Sequence, residues 1–101
     1  MAKTAQPLTG KVAAITGAAR GIGKATAQAF IAQGMKVAIG DLDAAEAQRT
    51  ADELGSGTVA FELNVTEKES VERFLDETEK QLGPVDVLVN NAGIIDRKSV
   101  V

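Results

Sequence analysis

Residues 12–23 read Val12-Ala13-Ala14-Ile15-Thr16-Gly17-Ala18-Ala19-Arg20-Gly21-Ile22-Gly23, and this stretch decides the fold. A short apolar run meets three glycines spaced Gly-x-x-x-Gly-x-Gly, and a helical pattern follows. Glycine lets the backbone turn sharply and approach a ligand closely. The first N–H groups of a helix lack intrahelical partners, and a pyrophosphate can satisfy them. The stretch predicts a strand, a phosphate-binding turn and a helix start; the alternative is a turn without a binding role.

The same alternation continues along the chain. Strands are predicted over 11–16, 35–40, 58–63 and 85–89, and helices over 21–33, 44–54 and 67–82, with glycine or Gly-Pro ending each helix. Strand and helix in turn indicate a parallel sheet with crossover helices. The predicted fold class is therefore α/β, a Rossmann-type parallel sheet truncated to four strands that alternate with three helices.

Apolar spacing also assigns the inward faces and the starts of the helices. The first helix is predicted to bury Ile22, Ala25, Ala29 and Ala32, with Phe30 beside them. The third is predicted to bury Val71, Phe74, Leu75, Thr78 and Leu82. Two Asp/Thr-x-x-Glu patterns predict capping boxes for the second and third helices, at Asp43–Glu46 and Thr66–Glu69.

Composition bounds the function. The chain has 101 residues, 45% of them hydrophobic and 25% charged, which fits one globular domain. The net charge is −3, and the sequence has no run of basic residues that would favour binding to nucleic acid or an anionic membrane. The sequence contains no Cys and no His, so disulfides, thiol chemistry and ordinary zinc sites are not expected. Residues 1–7 lack the apolar core of a signal peptide.

Polar or glycine residues follow each predicted strand, where ligands bind in doubly wound sheets. The glycine turn follows the first strand and Asp41 the second; Asn64-Val65 and Asn90-Asn91-Ala92-Gly93 follow the third and fourth. Asp41 lies near the roughly 20-residue offset of an acid that binds an adenosine ribose. Its carboxylate would repel a 2′-phosphate, so NAD is preferred over NADP. Asp41 could instead simply begin the next turn, and Arg20 is a counter-signal because its guanidinium could pair with a phosphate.

Together these motifs resemble the short-chain dehydrogenase/reductase family from about Lys11 to Gly93, and the chain is similar to 3-oxoacyl-carrier-protein reductases and other NAD-dependent alcohol dehydrogenases of that family. The resemblance implies an NAD(P)-dependent oxidoreductase that interconverts alcohols and ketones, is cytoplasmic and is usually a homotetramer. It implies that Asn90 braces the central strands, and that Asn64, where the family more often has Asp, still accepts a bond from the adenine amino group. The cofactor-binding residues implied by motif and position are Gly17, Arg20, Gly21, Ile22, Gly23, Asp41, Leu42, Asn64, Val65, Asn91, Ala92 and Gly93.

The resemblance stops before the family's catalytic residues, which are a Ser, a Tyr acid/base, a Lys four residues after that Tyr, and a further Asn. This sequence contains no Tyr, and Lys98 and Ser99 do not match the pattern. Residues 1–101 are therefore expected to form the amino-terminal dinucleotide-binding part of a single Rossmann domain, inactive by itself. The open edge of the fourth strand is expected to favour self-association. Two alternatives are a non-catalytic nucleotide-binding module and a partner that pairs this edge with a full-length relative.

Overall fold

Four parallel strands and three helices alternate along the chain in the computed structural model, which describes residues 8–55 and 57–91. The predicted α/β, Rossmann-type arrangement is confirmed, and the element ends differ from the prediction by one or two residues. The strands are β1 (Val12–Thr16), β2 (Lys36–Asp41), β3 (Thr58–Glu62) and β4 (Val87–Asn90), and the helices are α1 (Gly21–Ala32), α2 (Ala44–Leu54) and α3 (Lys68–Leu82).

The strands are ordered β3-β2-β1-β4, and every neighbouring pair is parallel. All five residues of β1 are buried, as its continuous apolar run predicts for a strand covered on both faces. The register places Thr16 opposite both Gly40 of β2 and Asn90 of β4. The carboxyl ends of these three strands therefore lie side by side.

Each face of the sheet has its own core, because successive side chains of a strand point to opposite faces. On one face, Ala13 and Ile15 of β1 pack in a cluster with Ala27 of α1 and Ala47 of α2. On the other, Ala14 packs in a cluster with residues of α3. Gly40 of β2 lies beneath this second cluster, where a Cβ would come within 2.7 Å of Leu63 and 3.0 Å of Phe74. The sheet is thus a central layer with α1 and α2 on one side and α3 on the other.

The predicted inward face of α3 is confirmed, and that of α1 is wrong except for Phe30, which is partly buried against the core as predicted. Val71, Phe74 and Thr78 of α3 are buried. In α1 the buried residues are Gly23 and Ala27, whereas Ile22 is 76% exposed and the three predicted alanines are also exposed, namely Ala25, Ala29 and Ala32. Apolar residues occur on several sides of this alanine-rich helix, so their spacing alone is compatible with either of two faces packing against the sheet. The sheet selects the stripe that begins at Gly23, since the absent side chain permits close approach.

The helix caps also divide into one confirmed and one wrong prediction. Asp43 Oδ1 accepts a hydrogen bond from Glu46 N at 3.0 Å and so caps α2. Thr66 does not cap α3, because its hydroxyl donates to Asn64 Oδ1 at 2.6 Å and the helix begins two residues later. Among the described residues, no helix combines the length and the apolar character needed to cross a bilayer.

The approach to β4 is tied to β1 by Asp86. Its carboxylate Oδ2 accepts from Val12 N at 2.8 Å, and its own N–H donates to Val12 O at 2.8 Å. The Asp86 side chain thus occupies the acceptor position that a further strand residue would supply. This pair of bonds extends the β1–β4 ladder by one step toward its amino end.

We expect Asp86→Ala to lower the free energy of unfolding by about 1–2 kcal/mol, because Val12 N loses its acceptor at a partly buried position. Urea unfolding followed by circular dichroism measures the change. Asp76→Ala is the matched control, since Asp76 is exposed on α3; its effect should stay within roughly 0.5 kcal/mol. Equal shifts for the two variants would contradict the assigned role of Asp86.

Candidate functional site

A cavity of about 240 Å³ opens where the carboxyl ends of the strands meet. It is smaller than the roughly 300–1,000 Å³ of pockets that enclose a drug-sized ligand, so its size suits one portion of a dinucleotide. Residues that follow each of the four strands contribute to it. Its lining consists of Gly17, Asp41, Leu42, Leu63, Val65 and Asn91. Five of these six were predicted from the sequence, and Leu63 was not.

The loop between β1 and α1 is held by hydrogen bonds from three directions. Asn91 Nδ2 donates to Gly17 O at 3.1 Å, from the end of β4. Gly17 N donates to Gly40 O of β2 at 2.7 Å. The buried Thr50 hydroxyl of α2 donates to Ala19 O at 2.5 Å. Gly17 itself has φ +66°, which favours glycine. The loop is therefore fixed before any ligand binds.

Gly23 permits α1 to start against this loop. A Cβ at that position would lie 2.4 Å from Gly17 O, 2.8 Å from Ala18 Cα and 2.8 Å from Asn91 Nδ2. Two of these atoms belong to backbone and cannot move aside without shifting the loop. The third glycine of the motif is thus required by close packing, which agrees with its predicted place at the helix start.

The Asp41 carboxylate is positioned by two backbone donors. Oδ2 accepts from Ala19 N at 3.2 Å, and Oδ1 accepts from Asp43 N at 3.0 Å. An ionised carboxylate offers about four lone-pair sites, so each oxygen keeps capacity for another donor. Asp41 therefore both holds the glycine loop and presents acceptor sites to the cavity. The alternative that it only begins a turn does not account for its bond to Ala19.

The amino terminus of α1 differs from those of the other two helices. No acid lies in its first turn, and its cap residue Arg20, like Glu67 at the start of α3, makes no side-chain capping bond. By contrast, Glu46 and Glu69 lie in the first turns of α2 and α3. The positive end of the α1 dipole is thus uncompensated by this chain's own acids within that turn, which suits an anionic ligand.

Thr16 fastens the carboxyl ends of β1 and β4 together. Its hydroxyl, fully buried, donates to Asn90 Oδ1 at 3.0 Å and accepts from Asn91 N at 3.0 Å. Asn90 braces the two strands, as expected, and Asn91 is oriented toward the loop.

Some predicted site residues do not line the cavity. Arg20 points along the surface and pairs with Asp43, while Ile22 is largely exposed at the start of α1. Asn64 Oδ1 accepts from both the N–H and the hydroxyl of Thr66, at 3.0 and 2.6 Å. These bonds hold the turn between β3 and α3 that carries Val65. Gly21, the first residue of α1, has φ +66° and does not line the cavity. Ala92 and Gly93 lie outside the described residues.

Two residues of the site were missed. Leu63 directly follows β3, is only 2% exposed and lines the cavity together with Val65, whereas the sequence pattern places it within the strand. Thr50 lies on the buried face of α2 with Ala47 and Ala51. A polar residue within an apolar helical stripe was the signal that could have identified Thr50 as a hydrogen-bonding residue.

A parallel sheet with a glycine turn after its first strand and an acid after its second defines a Rossmann-type α/β unit. The chain belongs to the short-chain dehydrogenase family, because residues 11–101 match the family model described as short chain dehydrogenase. The family resemblance seen in the sequence is thereby confirmed.

Relatives with different substrates share this region. The chain is 44% identical over 94 residues to a sorbitol dehydrogenase of Cereibacter sphaeroides, covering 93% of this chain and 37% of that protein. It is 47% identical over 87 residues to a 3-oxoacyl-[acyl-carrier-protein] reductase of Vibrio cholerae, covering 86% and 36%. A crystal structure of a 3-ketoacyl-(acyl-carrier-protein) reductase from Brucella melitensis complexed with NADH superposes with a TM-score of 0.82 at 42% identity, covering 86% of this chain and 36% of that one. The chain spans a little over a third of the length of these relatives.

We expect Gly23→Ala to destabilise the chain by about 1–3 kcal/mol, because its Cβ collides with the backbone of the loop. Ala25→Gln is the control: it adds a longer side chain on the exposed side of the same helix and should change stability by less than roughly 0.5 kcal/mol. Urea unfolding compares the two. A Gly23→Ala variant as stable as the control would contradict the close packing described here.

Proposed function

We propose that this chain is the NAD(P)-binding part of a short-chain dehydrogenase/reductase, whose complete form transfers hydride between a nicotinamide cofactor and an alcohol or ketone. The observation that carries the proposal is the convergence of Gly17, Asp41 and Asn91 on one cavity at the carboxyl ends of the strands. These residues come from separate parts of the sequence, so their meeting is a property of the fold. The NADH-bound Brucella melitensis reductase, with a TM-score of 0.82, supports the same class of ligand.

The residues present fit the parts of an adenine dinucleotide. The uncapped amino terminus of α1, from Gly21 to Gly23, suits the pyrophosphate, with Arg20 and Ile22 at its rim. The Asp41 carboxylate would accept bonds from ribose hydroxyls, and the apolar side chains of Leu42, Leu63 and Val65 would contact the adenine. Asn64 would contribute by holding the turn that positions Val65. Asn91, Ala92 and Gly93 would lead toward the nicotinamide, which supplies the hydride acceptor or donor.

Asp41 sets the proposed preference for NAD over NADP. A carboxylate close to the ribose would repel a phosphate on the 2′ position, which carries about two negative charges at neutral pH. Each ribose hydroxyl that it accepts would form a charge-assisted hydrogen bond. The Asp41 carboxylate would therefore strengthen the binding of NAD, which has a free ribose diol, and weaken the binding of NADP, which has a 2′-phosphate.

Calorimetric titration of the chain with NADH and with NADPH tests the cofactor assignment. NADH should bind more tightly, and Asp41→Ala should weaken NADH binding by about tenfold or more, because hydrogen bonds to a charged group are lost. Asp76→Asn, which removes one negative charge at an exposed position of α3, should leave the affinity for NADH unchanged. Tighter binding of NADPH would refute the preference for NAD, and an absence of heat with either nucleotide would refute the proposed function.

The chain by itself is proposed to bind without catalysing, since its sequence has no Tyr to serve as the family's acid/base. The complete protein is proposed to be a cytoplasmic homo-oligomer. Relatives named for sorbitol and for 3-oxoacyl groups match the chain almost equally well. The proposed substrate class is therefore alcohols and ketones in general, with no single substrate named.

We expect the purified 101-residue chain not to oxidise NADH in the presence of ketone substrates, measured by the loss of absorbance at about 340 nm, a property of the reduced nicotinamide that the cofactor carries. The B. melitensis 3-ketoacyl-(acyl-carrier-protein) reductase, whose structure holds NADH, serves as the positive control with a 3-ketoacyl substrate in the same assay. Turnover above that of Asp41→Ala would overturn the proposed inactivity.

A second candidate is a partner role through β4. Among the described strands, β4 pairs only with β1, and its four residues are half-buried. An open strand edge can pair with another chain. The partner role would be favoured over nucleotide binding if NADH fails to bind in the titration while the chain still co-purifies with a full-length relative.

A further inference from the structure

Arg20 and Asp43 form an ion pair beside the candidate site: neither lines the cavity, but Asp43 directly follows Leu42, which does. Arg20 Nη2 lies 3.0 Å from Asp43 Oδ2, and the two side chains are 66% and 52% exposed. Arg20 belongs to the glycine loop, and Asp43 caps α2, so the pair joins the two elements that follow β1 and β2. Asp43 divides its two oxygens, because Oδ1 accepts from Glu46 N and Oδ2 faces the guanidinium.

A hydrogen bond connects Asp43 of this pair to Asp41, whose carboxylate is proposed to bind the ribose. The backbone N–H of Asp43 donates to Asp41 Oδ1 at 3.0 Å. The hydrogen bond from Glu46 N–H and the charge of Arg20 lower the pKa of Asp43, so its carboxyl is ionised at neutral pH. Asp43 therefore binds the Arg20 guanidinium through its side chain and the Asp41 carboxylate through its backbone N–H.

We propose that Asp43 is a cofactor-specificity residue that restrains and neutralises Arg20, so that the guanidinium does not pair with a phosphate on the adenosine ribose. The inference rests on the proposed function of the cavity. Arginine binds phosphate through paired N–H donors in a planar fork. Asp43 occupies one of those donors and cancels the charge. Discrimination against the 2′-phosphate therefore comes from two carboxylates, Asp41 directly and Asp43 through Arg20.

Asp43→Asn separates this role from helix capping. Asn is as effective as Asp at a helix N-cap, so α2 keeps its start while the charge at Asp43 is removed. Because interactions of exposed ion pairs are weak, the ratio of the NADPH dissociation constant to that of NADH should fall by roughly two- to fivefold. Titrations of the full chain with NADH and NADPH at low salt measure this ratio. Asp76→Asn makes the same change in net charge on exposed α3 and should leave the ratio unaltered.

Arg20 supplies the second arm of the test. In an Arg20→Gln background, Asp43→Asn should no longer lower the ratio of the NADPH to the NADH dissociation constant, because the guanidinium that Asp43 restrains is absent. The comparison is between Arg20→Gln/Asp43→Asn and Arg20→Gln alone. It should also shrink when the ionic strength is raised from about 0.03 M to about 0.3 M, where exposed charges are screened.

The outcomes separate this inference from the proposed function. If the wild-type chain binds NADH and Asp43→Asn leaves the ratio unchanged, the role of Asp43 is wrong and the site stands. A fall in the ratio that persists without Arg20 also refutes the role of Asp43. If the wild-type chain binds neither nucleotide, the proposed function fails and the inference fails with it.

Discussion

The site depends on one steric constraint, the contact between the start of α1 and the loop that precedes it. At Gly23 there is no room for a Cβ, since backbone atoms of Gly17 and Ala18 lie within 2.8 Å of where it would be. This close approach lets α1 begin against the loop while the Asn91 amide still reaches the carbonyl oxygen of Gly17. The remaining contacts of the loop, from Thr50 and Asp41, stabilise a geometry that the missing side chain makes possible.

The polar residues around the cavity serve structure and recognition together. Asp41 accepts from the glycine loop and from the cap of α2, and it retains free lone pairs toward the cavity. Thr16 ties β4 to β1 and thereby orients Asn91. Preorganisation of this kind means that a ligand meets groups already held in place, so little ordering of the chain opposes binding. It also means that stability and recognition cannot be altered independently at these positions.

Much of this arrangement could be predicted because it follows from local rules. The apolar run of β1, the glycine spacing and the acid after β2 each have a short-range physical reason, and parallel topology then brings the strand ends together. The inward face of α1 could not be predicted, because alanines occur around much of the helix and the choice is made by the sheet. Leu63 and Thr50 were missed for a related reason: each acts through a partner distant in sequence, and a side chain's direction depends on that packing. The paired oxygen of Asn64 likewise depends on Thr66, which the capping pattern assigned elsewhere.

Gly40 connects the interior of the sheet with its ligand edge. Because it has no side chain, Leu63 and Phe74 settle directly onto β2, and Leu63 extends from there into the wall of the cavity. An added methyl group at Gly40 would therefore displace Leu63 and change the shape of the cavity, although Gly40 itself does not line it. The shape of the cavity therefore depends on a buried backbone position that does not line it, so a substitution in the core of the sheet can alter which ligand the cavity accepts.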